Sequence, residues 1–260
     1  MKTMDLNHYQ PNSTTLKDKV ILVTGAGSGL GRSLALTLAQ AGATIILLGR
    51  LVKKLEKVYD EIEANNGPQP AIFPLDLAKA SEEDYVQLAT ALHENFQRLD
   101  GLILNAAILG QHSPVTHLNL EQWQQALQVN LTANFLLLKH CSATLNVGEK
   151  SSVLYISDSL AKQSCAYWGC YAPTKAAMEN LIQTTADEWE TNTSIYLNSF
   201  DPGPLRTNLR RQAYPGEDAD TIPPPESVCL PVTYLMDAAQ NWPRAERLCW
   251  DPQAKLLTKN

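Results

Sequence analysis

Tyr171 and Lys175 lie four residues apart and can do acid–base chemistry together. At that spacing two side chains share one face of a helix. An ammonium beside a phenol favours the phenolate and is expected to draw the tyrosine pKa down toward the working pH. Far upstream, the loop Thr24-Gly25-Ala26-Gly27-Ser28-Gly29-Leu30-Gly31 can receive a diphosphate. Gly25 permits a tight turn, Gly29 and Gly31 let backbone come close, and a following helix offers unpaired N–H groups and a partial positive charge. A loop that grips a pyrophosphate and a pair that moves a proton together imply hydride chemistry with a nicotinamide dinucleotide. Neither motif is specific alone, so their context carries the reading.

The elements between them supply that context. Val20-Ile21-Leu22-Val23 is a β-branched run ending at the glycine loop, as a buried strand should. Leu30, Leu34, Leu38 and Ala41 repeat at helical spacing until Gly42. Further apolar runs start at Thr44, Ala71, Leu102, Val153 and Ser194, and they end at Gly49-Arg50, Asp76, Asn105, Ser157 and Asp201. Helical patterns separate them over residues 53–65, around Tyr85 to Phe96, over 121–145 and over 171–189. Strand and helix alternating six times predict an α/β fold, a doubly wound, mostly parallel Rossmann-like sheet with helices on both faces. Residues 1–18 read as a polar lead-in and 19–260 as one domain, with a short extra strand over 246–250. Open sheets of this kind bind ligands beyond the carboxyl ends of their strands. The glycine loop, Arg50, Asp76, Asn105, Ser157-Asp158-Ser159 and Pro202-Gly203 all fall there.

Composition narrows the class. The 260 residues can bury a core without disulfides, and a net charge of −6 argues against a phosphate-gripping nucleic-acid binder. No apolar run reaches the roughly 18 residues of a membrane span, and the polar N-terminus lacks an apolar signal segment, so a cytoplasmic protein is expected. Five scattered cysteines show no metal-ligand spacing, and no metal site is expected. At the end of the second strand a carboxylate would grip the ribose of NAD; Arg50 stands there instead and suits a 2′-phosphate, favouring NADP(H) while leaving NAD(H) open. Asp76 could accept a hydrogen bond from the adenine amino group.

Thr24-Gly-x-x-x-Gly29-x-Gly31, Asn105-Ala106, Asn130, Tyr171-x-x-x-Lys175 and Pro202-Gly203 come in the order and spacing of the short-chain dehydrogenase/reductase family, which this chain resembles from about residue 17 to 240. Finer details resemble its YciK-type bacterial oxidoreductases: His8-Tyr9-Gln10-Pro11, Ile46-Leu47-Leu48-Gly49-Arg50, Arg98-Leu99-Asp100-Gly101 and Trp168-Gly169. The resemblance implies that Tyr171 is the general acid/base, Lys175 its activator and ribose ligand, and Asn130 the holder of a relay water. It implies a cofactor groove of Gly25, Ser28, Gly29, Leu30, Arg50, Asp76, Leu77, Asn105 and Ala107, with Pro202 and Thr207 at the nicotinamide end. It also implies a homodimer or homotetramer paired through the helices around 122–145 and after Tyr171, and a lid over 205–214.

Two positions depart from the pattern. Thirteen residues before the tyrosine the family places a serine that donates to the substrate oxygen; here that position is Asp158, between Ser157 and Ser159. An ionised carboxylate only accepts, and beside a developing alkoxide it opposes the reaction. Three outcomes stay open: a flanking serine takes over, Asp158 is protonated and donates, or carbonyl reduction is impaired and the chain is a nucleotide-binding sensor or scaffold. The second departure is Ala107, where glycine is usual. The substrate reads as a small apolar carbonyl or alcohol, with Cys165, Tyr167, Trp168 and Cys170 expected at the pocket mouth and Arg206, Arg210 and Arg211 as lid charges.

Overall fold

A computed structural model describes residues 3–163 and 165–259; Met1 and Lys2 of the lead-in, and Ser164 and Asn260 of the expected domain, lie outside them. Five parallel βα units lead the architecture. Strand β2 (Val20–Thr24) is followed by helix α1 (Gly29–Gln40), β3 (Thr44–Gly49) by α2 (Val52–Ala64), and β4 (Ala71–Pro74) by α3 (Glu82–Phe96). Strand β5 (Gly101–Leu104) leads into α4 (Leu120–Leu127) and α5 (Ala133–Leu145), joined by a π-helical turn, Gln128–Thr132. Strand β6 (Ser151–Ile156) precedes α6 (Ala172–Trp189). Then come β7 (Ile195–Asp201), α7 (Asn208–Ala213), α8 (Cys229–Met236), β8 (Arg247–Asp251) and β9 (Leu256–Lys259).

The sheet order is β1-β9-β8-β7-β6-β5-β2-β3-β4, where β1 is Met4–Asp5. From β4 to β8 all neighbours are parallel; β9 and β1 add antiparallel pairings at the other edge. The lead-in therefore contributes a strand, and it packs Leu6 and Leu16 fully into the interior. The expected last strand over 246–250 forms as β8.

Alternation along each strand sends side chains to opposite faces. Ile21, Val23, Ile45, Leu47, Ile103 and Leu154 pack with Leu34 and Leu38 of α1, Val58 of α2 and Val232 of α8. Val20, Leu22, Ile46, Leu48, Leu102 and Val153 pack on the other face with Leu88 of α3, Leu137 of α5 and Met178 of α6. Both faces are covered, which is why the strands read as unbroken apolar runs rather than alternating ones. Asp100, buried at the start of β5, accepts Val20 N at 3.0 Å and pairs with Lys19 and Arg98, holding β2 and β5 in register. The chain leaves β2 toward β3 on one side and returns to β5 on the other. That reversal opens a crevice at the carboxyl ends of β2 and β5.

Candidate active site

A cavity of about 1040 Å³ occupies that crevice. Every residue expected in the cofactor groove lines it: Gly25, Ser28, Gly29, Leu30, Arg50, Asp76, Leu77, Asn105, Ala107, Pro202 and Thr207. So do Ser157, Asp158, Ser159, Tyr171 and Lys175. Asn130 does not; it is buried beneath the wall in the π-helical turn.

The floor is built by close backbone approach. A Cβ on Gly31 would fall 2.3 Å from the Gly25 carbonyl oxygen, so the first turn of α1 lies directly against the loop. Gly25 and Gly29 adopt φ +69° and +53°, values that favour glycine. Asn105 ties the facing loop down: its Nδ2 donates to the Thr24 carbonyl at 2.9 Å, and its backbone N–H donates to Thr24 Oγ1 at 2.9 Å. Thr207 caps α7, accepting Arg210 N at 3.2 Å, and stands across from Gly29. Exposed Arg50 and Lys54 sit at the end where β3 meets α2. A narrow, backbone-lined floor with helix α1 aimed at it and two cations at one end fits a phosphorylated dinucleotide. Lys54 was missed from the sequence; it lies four residues after Arg50, a helical spacing that could have revealed it.

At the other end, Tyr171 and Lys175 are both 3% exposed. Lys175 Nζ donates to the Ile156 carbonyl at 2.8 Å, and the ammonium lies 4.9 Å from the Tyr155 ring centroid and 5.4 Å from that of Tyr171. Burial draws Lys175 down to about 8 against the opposing pull of Asp158, Glu179 and Asp201. The expected lowering of the Tyr171 pKa is not found: burial pushes the phenol well above its ordinary value, and the Asp158 carboxylate pushes it further in the same direction. At 3% exposure desolvation outweighs any pull from the neighbouring ammonium.

Asp158 explains the second push. Its Oδ2 accepts the Tyr171 hydroxyl at 3.4 Å. Its Oδ1 accepts Leu160 N at 2.9 Å, capping the short turn Ser159–Ala161, and Ser159 Oγ at 3.4 Å. Ser157 Oγ is fully buried and has no hydrogen-bond partner among the described residues. So the carboxylate, rather than either flanking hydroxyl, faces the phenol. Arg247 of β8 donates to the Asp158 carbonyl at 2.9 Å and lies 3.7 Å from Glu179, which also accepts Ser199 Oγ at 2.9 Å. Nothing in the sequence marked this buried support, because β8 and α6 meet only through the fold.

Asn130 holds the backbone of the wall. Its side chain accepts Ile108 N at 2.9 Å and donates to Ile108 O at 2.8 Å and Thr174 Oγ1 at 3.1 Å; its carbonyl accepts Asn134 Nδ2 at 2.8 Å. Of the four residues expected at the mouth only Trp168 lines the cavity. Tyr167 points away with 59% exposure, and Cys170 is buried behind Gly110. From the segment 205–214 expected as a lid, Leu205, Thr207, Leu209, Arg210 and Tyr214 line the cavity. Arg206 and Arg210 are paired with Asp220 and Glu217, and Arg211 donates to Asn208. Among the described residues no group of His, Cys, Asp or Glu could hold a metal, and no helix is long and apolar enough to cross a membrane.

Residues 19–218 match the family model described as short chain dehydrogenase. The uncharacterized oxidoreductase YciK of Escherichia coli K12 is 39% identical over 88% of this chain and 90% of its own length. A short chain dehydrogenase from Salmonella enterica serovar Typhi superimposes with a TM-score of 0.89 at 36% identity, covering 94% of this chain and all of the other. A relative from Escherichia coli CFT073, solved in complex with NADPH, gives 0.88 at 37% identity over 94% of this chain and all of its own.

Proposed function

We propose that this chain, which belongs to the short-chain dehydrogenase family, is an NADP(H)-dependent oxidoreductase that interconverts a small carbonyl compound and an alcohol. One observation carries the reading: the glycine loop, Arg50 and the Tyr171–Lys175 pair line a single cavity. The NADPH bound by a 37%-identical relative supports the choice of nucleotide. Bound in the groove, the dinucleotide would supply the hydride acceptor or donor. Gly25, Ser28, Gly29 and Leu30 would hold its diphosphate, Arg50 its 2′-phosphate, and Asp76, Leu77, Asn105 and Ala107 its adenosine half.

The residues then divide the proton work. Tyr171 keeps its proton at rest because burial and Asp158 both oppose the phenolate. It can hand that proton to a substrate oxygen as negative charge grows there, and take it back in the reverse direction. Lys175 stands close enough to stabilise the phenolate left behind and is fixed by the Ile156 carbonyl. Asn130 sets the position of Ile108, which forms the wall opposite. A cytoplasmic homodimer or homotetramer accompanies this reading; Phe135, 44% exposed on α5, supports a partner on that helix.

Fluorescence titration with NADPH and NADH, followed by a carbonyl and alcohol panel, tests the class. Tighter NADPH binding with turnover is expected, and absence of binding by either nucleotide refutes it. Tyr171→Phe should lower kcat by about 10²- to 10⁴-fold with NADPH affinity nearly unchanged; retained turnover refutes the role given to Tyr171.

The Asp158–Tyr171 contact favours a second reading, a nucleotide-binding sensor or scaffold with impaired catalysis. Asp158→Ser separates the two. A large gain in carbonyl turnover supports the impaired reading, and no change counts against it.

A further inference from the structure

The substrate end of the cavity is built from rings and the Asp158 carboxylate, with Asp201 also in the lining. Trp168 meets His112 edge to face with centroids 4.2 Å apart, and it lies 5.6 Å from the Tyr171 ring and 5.7 Å from that of Tyr214. All four line the cavity together with Asp158. Aromatic faces attract cations, and a carboxylate accepts hydrogen bonds without donating any.

The fixed cations nearby each have a hydrogen-bond partner other than the Asp158 side chain, although Lys175 and Arg210 also line the cavity. Lys175 donates to Ile156 O. Arg210 lies 3.8 Å from the Tyr214 ring centroid but binds Glu217 through two bonds of 2.7 Å. Arg247 holds the backbone carbonyl of Asp158 and faces Glu179. Among the described residues Asp158 forms no ion pair; its oxygens receive Leu160 N, Ser159 Oγ and the Tyr171 hydroxyl, the last two at 3.4 Å. A carboxylate offers about four acceptor positions, so a further donor can be taken at the oxygen that faces the phenol. A negative group at the reacting atom is a poor receptor for an oxyanion and a good one for a cationic nitrogen.

We propose that the preferred reacting group is a protonated carbon–nitrogen double bond, an iminium reduced to an amine, whose N–H donates to Asp158 within the ring of Trp168, Tyr171, His112 and Tyr214. The proposal rests on the dinucleotide-dependent reading above and changes its substrate class. The electrons balance simply. A hydride, supplied by a reduced nicotinamide dinucleotide, forms the new C–H bond, and the C=N π pair becomes the nitrogen lone pair. The substrate's positive charge is cancelled, and the oxidised dinucleotide carries the charge instead. No proton is delivered in that step, so Tyr171 keeps its own; the released amine takes a proton from water. Carbonyl reduction, in contrast, would place a growing negative charge beside Asp158.

The test uses two bicyclic probes that differ at one ring atom, 1,2,3,4-tetrahydroisoquinoline, a cation at pH 7.5, and isochroman, its neutral oxygen counterpart. Calorimetric titration of the full chain, with and without NADPH, should show the cation bound about ten-fold or more tighter. Asp158→Asn, which keeps the acceptor for Leu160 N, should erase most of that preference while leaving the NADPH titration unchanged. Tyr214→Leu should weaken the cation without affecting isochroman to the same extent. In turnover with NADPH, 3,4-dihydroisoquinoline should exceed 1-tetralone in kcat/KM. Equal binding of the two probes, binding of neither, or a preference that survives Asp158→Asn overturns the proposal. The NADPH titration is scored separately: its failure sinks the underlying nucleotide reading, whereas nucleotide binding without cation preference sinks only this inference.

Discussion

Lys175 sits among charges that set when it can work. Burial draws it to about 8 from 10.5, while Asp158, Glu179 and Asp201 hold it from falling further. If the ammonium is needed to stabilise the Tyr171 phenolate during carbonyl turnover, kcat/KM should fall as pH rises through about 8. Asp158→Ser removes one supporting carboxylate and should move that alkaline limb to lower pH. Stability should run the other way. The folded pKa lies below the unfolded one, so between about 8 and 10.5 the unfolded chain binds more protons, and this group adds stability as pH rises across that window. A pH–rate profile and urea midpoints measured over the same range check both signs. A rate flat to pH 10 would show that Lys175 keeps its proton or is not required. At this scale the sequence was informative wherever a residue type alone decided the chemistry. Asp158 stood out by counting back from Tyr171. The aromatic surround did not, because His112 and Tyr214 reach Trp168 from segments separated by 56 and 46 positions of chain respectively.

The strands were legible because a strand covered on both faces is apolar through its centre, as β2, β3, β5 and β6 are apart from Thr24, Thr44, Ser151 and Ser152 at their ends. Helix α2 was legible for the complementary reason: Leu55, Val58 and Ile62 repeat on one buried stripe of an otherwise charged segment. The missed elements lack either signature. Strand β1 has two residues, β9 has four on an antiparallel edge, and α8 is eight residues apolar on nearly every side. The π-helical turn between α4 and α5 was hidden inside one continuous helical pattern. Its extra residue re-aims Asn130, whose side chain closes both backbone groups of Ile108. Asn130→Ala should therefore cost about 1–3 kcal/mol by leaving those groups unpaired. Denaturant unfolding checks the figure, and a loss within error would show that water or a shifted loop replaces the side chain. Asn130→Asp keeps the acceptor for Ile108 N but buries a carboxylate oxygen against the Ile108 carbonyl, so it should cost at least as much as Asn130→Ala.

At the scale of the whole molecule, the second half of the chain closes the site built by the first. Strand β8 enters the sheet beside β7, and Arg247 at its first position reaches back to the Asp158 carbonyl while facing Glu179 on α6. Glu179 lies one turn beyond Lys175, so one buried pair joins the late strand to helix α6 and to the turn that carries Asp158. Removing one member of such a pair leaves a charge without a partner, at a cost of about 3–5 kcal/mol. Replacing both with apolar groups of similar volume is often neutral. Arg247→Met should accordingly lower the urea midpoint strongly, and adding Glu179→Leu should restore much of it. Activity should not return with stability, because neither substitution restores the donor to the Asp158 carbonyl or the negative charge beside Lys175. The double variant should also carry an alkaline limb at lower pH than the parent, since Glu179 is one of the groups that raise Lys175. Unfolding curves, kcat and a pH profile on the same three proteins decide it. Full activity in the stable double variant would mean that the late strand contributes packing alone and that the turn at Asp158 holds its own shape.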